Sequence, residues 1–386
     1  MGGSVVRMAS RDLEPQATVR SRSSSRAGRS PSARRLVLCA AVVVTALTAA
    51  AVSQAGPAFR LKSPSLAEIS RASRPIVDTT ITTPSTLGFV PSGYWGGEYT
   101  ISTGERVTVY ASNSYPMDPA LEQRWADFLG SLIHGSEISQ VTVLLSTAAQ
   151  ISRVCGEDAV ACYSPQGGLL YTPGEDPGSD LSAEAVITHE YGHHIAANRS
   201  NAPWTALEWG PKRWASTIQV CARTRMNELV PGAEDPVHYT VNPGEGWAET
   251  YRVLNERKAG RAETPWDIVS QSLYPTDAAL AAAEQDVTSS WVQTAPTIRT
   301  LALTRTTRTR TFTVPTQLDG TLKLSLRPTR GLRLAVNVYA SSTRVAHAVT
   351  SSSVSRTATI CGVRSYRIRV QALKGQGSVR LSVTKP

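Results

Sequence analysis

Residues 181–198 form an otherwise apolar stretch that carries Thr188-His189-Glu190-Tyr191-Gly192-His193-His194 at its centre. Ala185, Val186, Ile187, Ile195, Ala196 and Ala197 surround these polar groups. The segment therefore reads as a nearly buried helix, in which histidines and a glutamate need partners. His189 and His193 are four residues apart, one turn along a shared face, where two imidazole nitrogens can converge on one metal ion. Glu190 follows the first histidine directly, so its carboxylate sits beside such an ion and not on it. That is the arrangement of a zinc-activated water and the base that deprotonates it. His194 lies about 140° around the helix from His189 by helical geometry and cannot share the metal. It reads as a structural or supporting group.

A catalytic zinc site takes three protein ligands and keeps one position open. A third histidine in the long zinc motif would need Gly at 196 and His at 199, and the chain has Ala196 and Arg199, which excludes that class. The better source is Asn242-Pro243-Gly244-Glu245-Gly246-Trp247-Ala248-Glu249-Thr250-Tyr251. Pro243 and two glycines mark a turn, and Trp247, Tyr251 and Leu254 then recur at helical spacing, so a second helix is expected from about Glu245. Glu245 and Glu249 share one face and repel unless something positive lies near them. A zinc ion on Glu245 and an imidazole N–H held by Glu249 resolve that conflict; a solvated acidic face is the other reading of the pair.

Taken together, His189, Glu190, His193, Glu245 and Glu249 resemble the zincin metallopeptidases, in particular the gluzincin group, whose H-E-x-x-H is followed by a helix bearing Glu and, four residues on, an acidic residue. The interval between the two helices is longer here, and Glu stands at 249 where many members have Asp. The resemblance implies an α+β zincin-like catalytic domain that hydrolyses peptide bonds: His189, His193 and Glu245 hold Zn²⁺, Glu190 is the general base, and Glu249 orients a ligand. It also implies that the strand before the metal helix, expected at Leu169–Thr172, borders the cleft and pairs with an extended peptide. An oxyanion donor besides zinc is expected, with His238, Tyr239 and Tyr251 within reach in sequence.

The 386 residues are too many for one small domain, and charge is unevenly shared along them. Residues 1–35 hold eight Arg against two acidic groups and are too poor in apolar residues to build a core, so they read as a disordered basic region. Residues 36–55 are uncharged, rich in Ala, Val and Leu, and follow Arg34-Arg35. They read as an export signal cleaved after Ser53-Gln54-Ala55, with an outward-facing membrane anchor as the alternative. Residues 56–95, rich in Ser, Thr and Pro, are a linker or a pro-segment. The catalytic domain is expected over 96–295, with strands at Arg106–Ala111 and Gln140–Leu145, helices at Asp118–Leu132 and Asp277–Glu284, and three tryptophans (Trp204, Trp209 and Trp214) that form either a cleft wall or a packed subdomain.

From residue 296 the pattern changes to period two: Leu322, Leu324 and Leu326; Leu332, Leu334, Val336 and Val338; Tyr366, Ile368 and Val370; Val379, Leu381 and Val383. Residues 296–386 are expected to form an all-β antiparallel sandwich, a layout that resembles the pre-peptidase C-terminal domains of secreted bacterial enzymes. They carry sixteen Lys and Arg against Asp319 alone, so the segment before them is acidic although the chain as a whole is +10. Such a domain can dock on an anionic cell-wall polymer; no motif points to specific nucleic-acid binding. Cys155, Cys162, Cys221 and Cys361 follow the export segment, an even number that points to disulfides with three pairings open, a structural zinc site on these scattered thiols being the competing reading. A Cys155–Cys162 bond closes a short loop, worth roughly 2.5 kcal/mol, and Cys221–Cys361 would then tie the two domains. The expected function is a secreted zinc metallopeptidase; the alternative is a cell-surface or wall-binding protein whose metal is structural.

Overall fold

β-Branched and aromatic residues at alternate positions build the first layer of the fold. In the computed structural model, which describes residues 90–156, 159–177, 181–235 and 237–386, strand β1 (Tyr94–Thr100) pairs antiparallel with β2 (Arg106–Ser112). β2 runs parallel to β3 (Thr142–Leu145), and β3 parallel to β5 (Leu169–Thr172). β4 (Cys162–Ser164) closes the order β1-β2-β3-β5-β4 as an antiparallel edge. One face of this mixed sheet buries Val107, Val109, Ala111, Val143, Leu145 and Leu170 in the main core, and the other gathers Tyr110, Leu144 and Tyr171. The expectations for residues 1–35, for the export segment at 36–55 and for most of the 56–95 linker lie outside the described residues.

Two long helices pack against each other, and the first of them lies on the sheet at β5 and β4. The first, Ala183–Ala197, starts at Ser182, whose side chain accepts the Ala185 N–H as an N-cap. From Ala183 to Ala196 only Glu184 escapes burial, so the helix has no solvent stripe and runs through the centre of the molecule. The second, Pro243–Lys258, is capped by Asn242, which accepts the Gly244 N–H, and has Pro at its first position, where the missing N–H costs nothing. It begins two residues earlier than the turn residues alone indicate, because Pro243 belongs to the first turn.

The two helices cross at Gly192. A Cβ at that position would lie 2.9 Å from the Ala248 Cα, closer than side chains tolerate. The Trp247 indole N–H donates to the Gly192 carbonyl at 2.7 Å, which fixes the crossing in register.

Strand addition along Leu169–Thr172 is ruled out by this topology. β5 is flanked on both sides, by β3 and by β4, so its backbone groups are already spent. The free edge belongs to β4, a three-residue strand whose first residue is bonded to Cys155. Short as it is, β4 carried no periodicity from which to read it. Trp214 packs edge-on against Trp247 in the core, and Trp204 stacks on Trp209 at 4.6 Å, so the tryptophans serve packing.

After a short antiparallel ladder of β6 (Ser200–Asn201) with β7 (Trp204–Thr205), residues 297–384 form two four-stranded antiparallel sheets, β13-β10-β15-β8 and β12-β11-β14-β9. Their strands are β8 (Thr297–Leu303), β9 (Thr309–Thr316), β10 (Gly320–Pro328), β11 (Arg333–Ala340), β12 (Thr343–Thr350), β13 (Val354–Ile360), β14 (Arg364–Lys374) and β15 (Gly377–Thr384). The alternating Leu, Val, Ile and Tyr residues from both sheets meet in one buried cluster, a β-sandwich-like arrangement.

The sandwich is tied to the mixed domain by the Cys221–Cys361 disulfide and by Lys212. The Lys212 ammonium donates to the Ala202 and Asp319 carbonyls at 2.6 and 2.9 Å and lies over the Trp291 ring. Burial lowers this lysine to about 8. Replacing Cys221 and Cys361 together by Ser is expected to lower stability by about 3–5 kcal/mol, because the crosslink closes a long loop. The denaturant midpoint reads the loss, and native far-UV dichroism should be retained because the Lys212 bonds remain.

Candidate metal centre

The Gly192 crossing decides which side chains meet. His189 and His193 project from one helix toward Glu245 and Glu249 on the other, and all four are at least nine-tenths buried. The His189 Nε2 lies 3.3 Å from the His193 Nε2 and 3.2 Å from the Glu245 Oε2, and the His193 Nε2 lies 3.4 Å from that same oxygen. These three atoms form a nearly equilateral triangle. Tetrahedral bonds of about 2.0–2.1 Å separate neighbouring donors by about 3.3 Å, so the triangle has the dimensions of one face of a zinc-type coordination shell.

The chemistry of the atoms agrees with their spacing. The His189 Nδ1 lies 2.9 Å from the Glu249 Oε1, so in neutral His189 it is this nitrogen that donates, and the Nε2 is left as an acceptor. Three acceptors then face one point, and only a cation or a proton there makes the arrangement favourable. Burial pushes the His189 imidazole down, yet its hydrogen bonds to Glu245 and Glu249 hold it up at about 10. Burial likewise pushes Glu245 up, but His193 and His189 keep its carboxyl well below the usual carboxylate range. The buried His189, His193 and Glu245 group can hold a metal ion.

Glu249 is held from behind. Arg252 reaches it through both Nε (2.9 Å) and Nη2 (2.6 Å), and the Arg252 Nη1 binds Glu256 at 2.7 Å. Against the cost of burial, Arg252 and His189 bring the Glu249 carboxyl down to about 2. The i, i+3, i+7 spacing of Glu249, Arg252 and Glu256 is the sequence signal for this chain of charges, and the acidic pair alone does not show it. His194, by contrast, faces away: it meets the Glu137 carbonyl at 2.9 Å and the Tyr163 hydroxyl at 3.2 Å, and burial lowers its pKa.

Of the three oxyanion candidates, the structure brings only Tyr239 to the centre. Its hydroxyl donates to the Glu245 Oε2 at 2.9 Å, and burial with the Glu245 charge pushes the phenol far above its ordinary value. Tyr251 is fully buried and donates to the Ile133 carbonyl at 2.6 Å, so it belongs to the helix packing. His238 is exposed and bonded to Asp235. Neither lines the cavity that opens on the centre.

That cavity has a volume of about 960 Å³. Glu190 lines it beside the donor triangle, and no hydrogen bond occupies its carboxylate among the described residues; burial raises its pKa. Val160, Leu181, Val186, Leu207 and Ile268 give the cavity an apolar wall, and Cys162 and Tyr163 of β4 also line it.

No family model matches the chain, and no curated protein aligns with it significantly. Among solved structures, the chain is similar to the pre-peptidase C-terminal domain of a collagenase from Bacillus anthracis, with 16% identity over 23% of this chain and 89% of that one and a TM-score of 0.21. It is also similar to the Yersinia pseudotuberculosis-derived mitogen, with 11% identity over 24% of this chain and 87% of that one and a TM-score of 0.18. Dimeric latent PorU from Porphyromonas gingivalis matches at 8% identity over 24% of this chain and 13% of that one, with a TM-score of 0.17.

Alanine at 189, 193 or 245 is expected to abolish stoichiometric zinc uptake, while Glu249→Gln weakens it by about 10–100-fold, as loss of a ligand's supporting partner does. A proton on His189 competes with the metal, so apparent affinity should rise about tenfold per pH unit below the imidazole's raised pKa. Equilibrium dialysis against buffered zinc at several pH values measures both effects. Gly192→Ala should cost about 1–3 kcal/mol by forcing the helices apart, and zinc affinity measured on the same variant should fall with it.

Proposed function

We propose that the chain is an extracellular zinc-dependent peptidase that hydrolyses peptide bonds in the cavity above His189, His193 and Glu245. The observation that carries this reading is the triangle of three acceptor atoms with Glu190, a carboxylate free of hydrogen bonds among the described residues, lining the same cavity. A structural zinc site closes its shell with four protein ligands; here three donors converge among the described residues and a cavity adjoins them. The gluzincin pattern of His189, Glu190, His193, Glu245 and Glu249 supports the same reading. The two disulfides fit an extracellular protein, and among the described residues no helix is long and apolar enough to cross a membrane.

His189, His193 and Glu245 would hold Zn²⁺, which would supply Lewis acidity toward water and the substrate carbonyl. Glu190 accepts a proton from the attacking water and returns it to the departing amine. Tyr239 keeps its proton, because ionisation beside Glu245 is opposed by burial and by charge. Its O–H is therefore a donor that can turn from Glu245 to the oxyanion of the substrate. Arg252 holds Glu249, and Glu249 holds the His189 ring with its Nε2 toward the site. The free edge of β4 offers backbone groups to an extended peptide lying along the cavity.

Glu190→Gln is expected to retain zinc and to lower kcat by about 10²–10⁴-fold. Tyr239→Phe should lower kcat by about 10²-fold with little change in KM. Digestion of a peptide library by the zinc-loaded protein, repeated with each variant, is the measurement, and full activity in Glu190→Gln would end the proposal.

A further inference from the structure

The outer face of the β12-β11-β14-β9 sheet bears charge that the rest of the chain leaves unneutralised. Residues 296–386 hold one carboxylate, Asp319, which is buried and accepts the Gly362 N–H. No Lys or Arg of this region forms an ion pair among the described residues. Strand register orders the face. In one row Arg344, Tyr339, Arg367 and Thr313 stand side by side across β12, β11, β14 and β9. In the next, His347, Asn337, Arg369 and Thr311 do the same. All but Tyr339 and Asn337, which are half-buried, are exposed.

These rows are fixed by contacts of their own. The Arg367 guanidinium lies 4.9 Å from the Tyr339 ring centroid, and the His347 Nδ1 is 2.9 Å from the Asn337 Oδ1. Arg344 and Arg367 are two strands apart, about 10 Å, and Arg367 and Arg369 are two residues apart along one strand, about 7 Å. Three guanidinium forks therefore surround a patch of amide, imidazole, hydroxyl and aromatic groups on a solvent-facing sheet.

Arginine forks match the flat, two-oxygen geometry of a carboxylate. The amide, imidazole and hydroxyl groups among them suit sugar hydroxyls, and arginines about 7 and 10 Å apart suit acid groups spaced along an extended sugar chain. We infer that this face binds an acidic polysaccharide, a sugar polymer bearing carboxylate groups. Thirteen of the sixteen basic residues are Arg, the side chain suited to such pairing. The inference is independent of the metal centre.

The test uses the full chain with polygalacturonate as the probe, in co-sedimentation or calorimetry. The wild-type chain is expected to bind it, with affinity falling as salt rises. Arg367→Ala with Arg369→Ala should weaken binding by at least about 30-fold, the loss of two charge-assisted contacts. Arg367→Lys with Arg369→Lys keeps the charge and loses the fork, and should weaken binding by about 3–10-fold. On the opposite sheet, Arg327 and Arg380 stand opposite each other; replacing both by Ala removes the same charge and should cost less than about threefold. Glu190→Gln should bind as wild type does. Equal losses from the two double-alanine variants would overturn the assignment, as would equal affinity for fully methyl-esterified polygalacturonate or for duplex DNA. A shared thermal midpoint establishes that each variant is folded, and the lysine pair carries the test if the alanine pair is not.

Discussion

The contact between Gly192 and Ala248 is the constraint on which the centre depends. Helices that bear ordinary side chains at their crossing pack 8–10 Å apart, and at the wide end of that range His189 and Glu245 would not share a donor triangle. The missing Cβ of Gly192 lets the backbones approach, with the Ala248 Cα at 2.9 Å from where that Cβ would stand. The Trp247 indole then locks the approach through the Gly192 carbonyl. Glycine inside a helix costs about 1 kcal/mol relative to alanine. Here that cost is offset by the burial of Trp247 and Tyr251 against the partner helix, both fully excluded from solvent.

Burying this many charged groups would unfold a domain if they were unpaired, since an isolated ion loses its hydration without return. The centre avoids that by alternating sign: Glu256, Arg252, Glu249 and His189 follow one another in hydrogen-bond contact. Each member fixes the rotamer of the next, so the imidazole orientation is set by a guanidinium two contacts away. A centre built on such a chain is preorganised, because little must move when a cation or a substrate arrives.

Much of this was legible in the sequence, for reasons that differ by element. The His189 and His193 pairing follows from helical period alone, and the sandwich strands declared themselves because Leu, Val, Ile and Tyr alternate over enough residues to exclude a helix. Leu169–Thr172 was also readable as a strand, but not as an interior one. Its neighbour β4 is three residues long, too short to show a period, and is held by its pairing to β5, which local pattern does not encode. Tyr239, Tyr251 and His238 could not be separated by reading along the chain. Tyr239 sits in a short 3-10 turn that points it at Glu245, whereas Tyr251, two residues beyond Glu249, lies on the helix face turned toward Ile133.

The division of charge between the two parts of the chain bears on how each is stabilised. In the mixed domain, several buried carboxylates are committed to cations: Glu249 and Glu256 to Arg252, Asp286 to Arg213, Glu137 to Arg199. The sandwich has one carboxylate and spends it at the junction, where the Asp319 carbonyl also receives Lys212. Its remaining charge is all of one sign, and Arg327 stands directly across from Arg380, a pairing that destabilises a sheet. A buried core drawn from both sheets, locked to the mixed domain by the Cys221–Cys361 bond, supplies the stability that tolerates such repulsion. The cost of an unneutralised surface is therefore borne where packing is regular, and the precision of paired charge is kept where two helices must hold three donor atoms within 3.2–3.4 Å of one another.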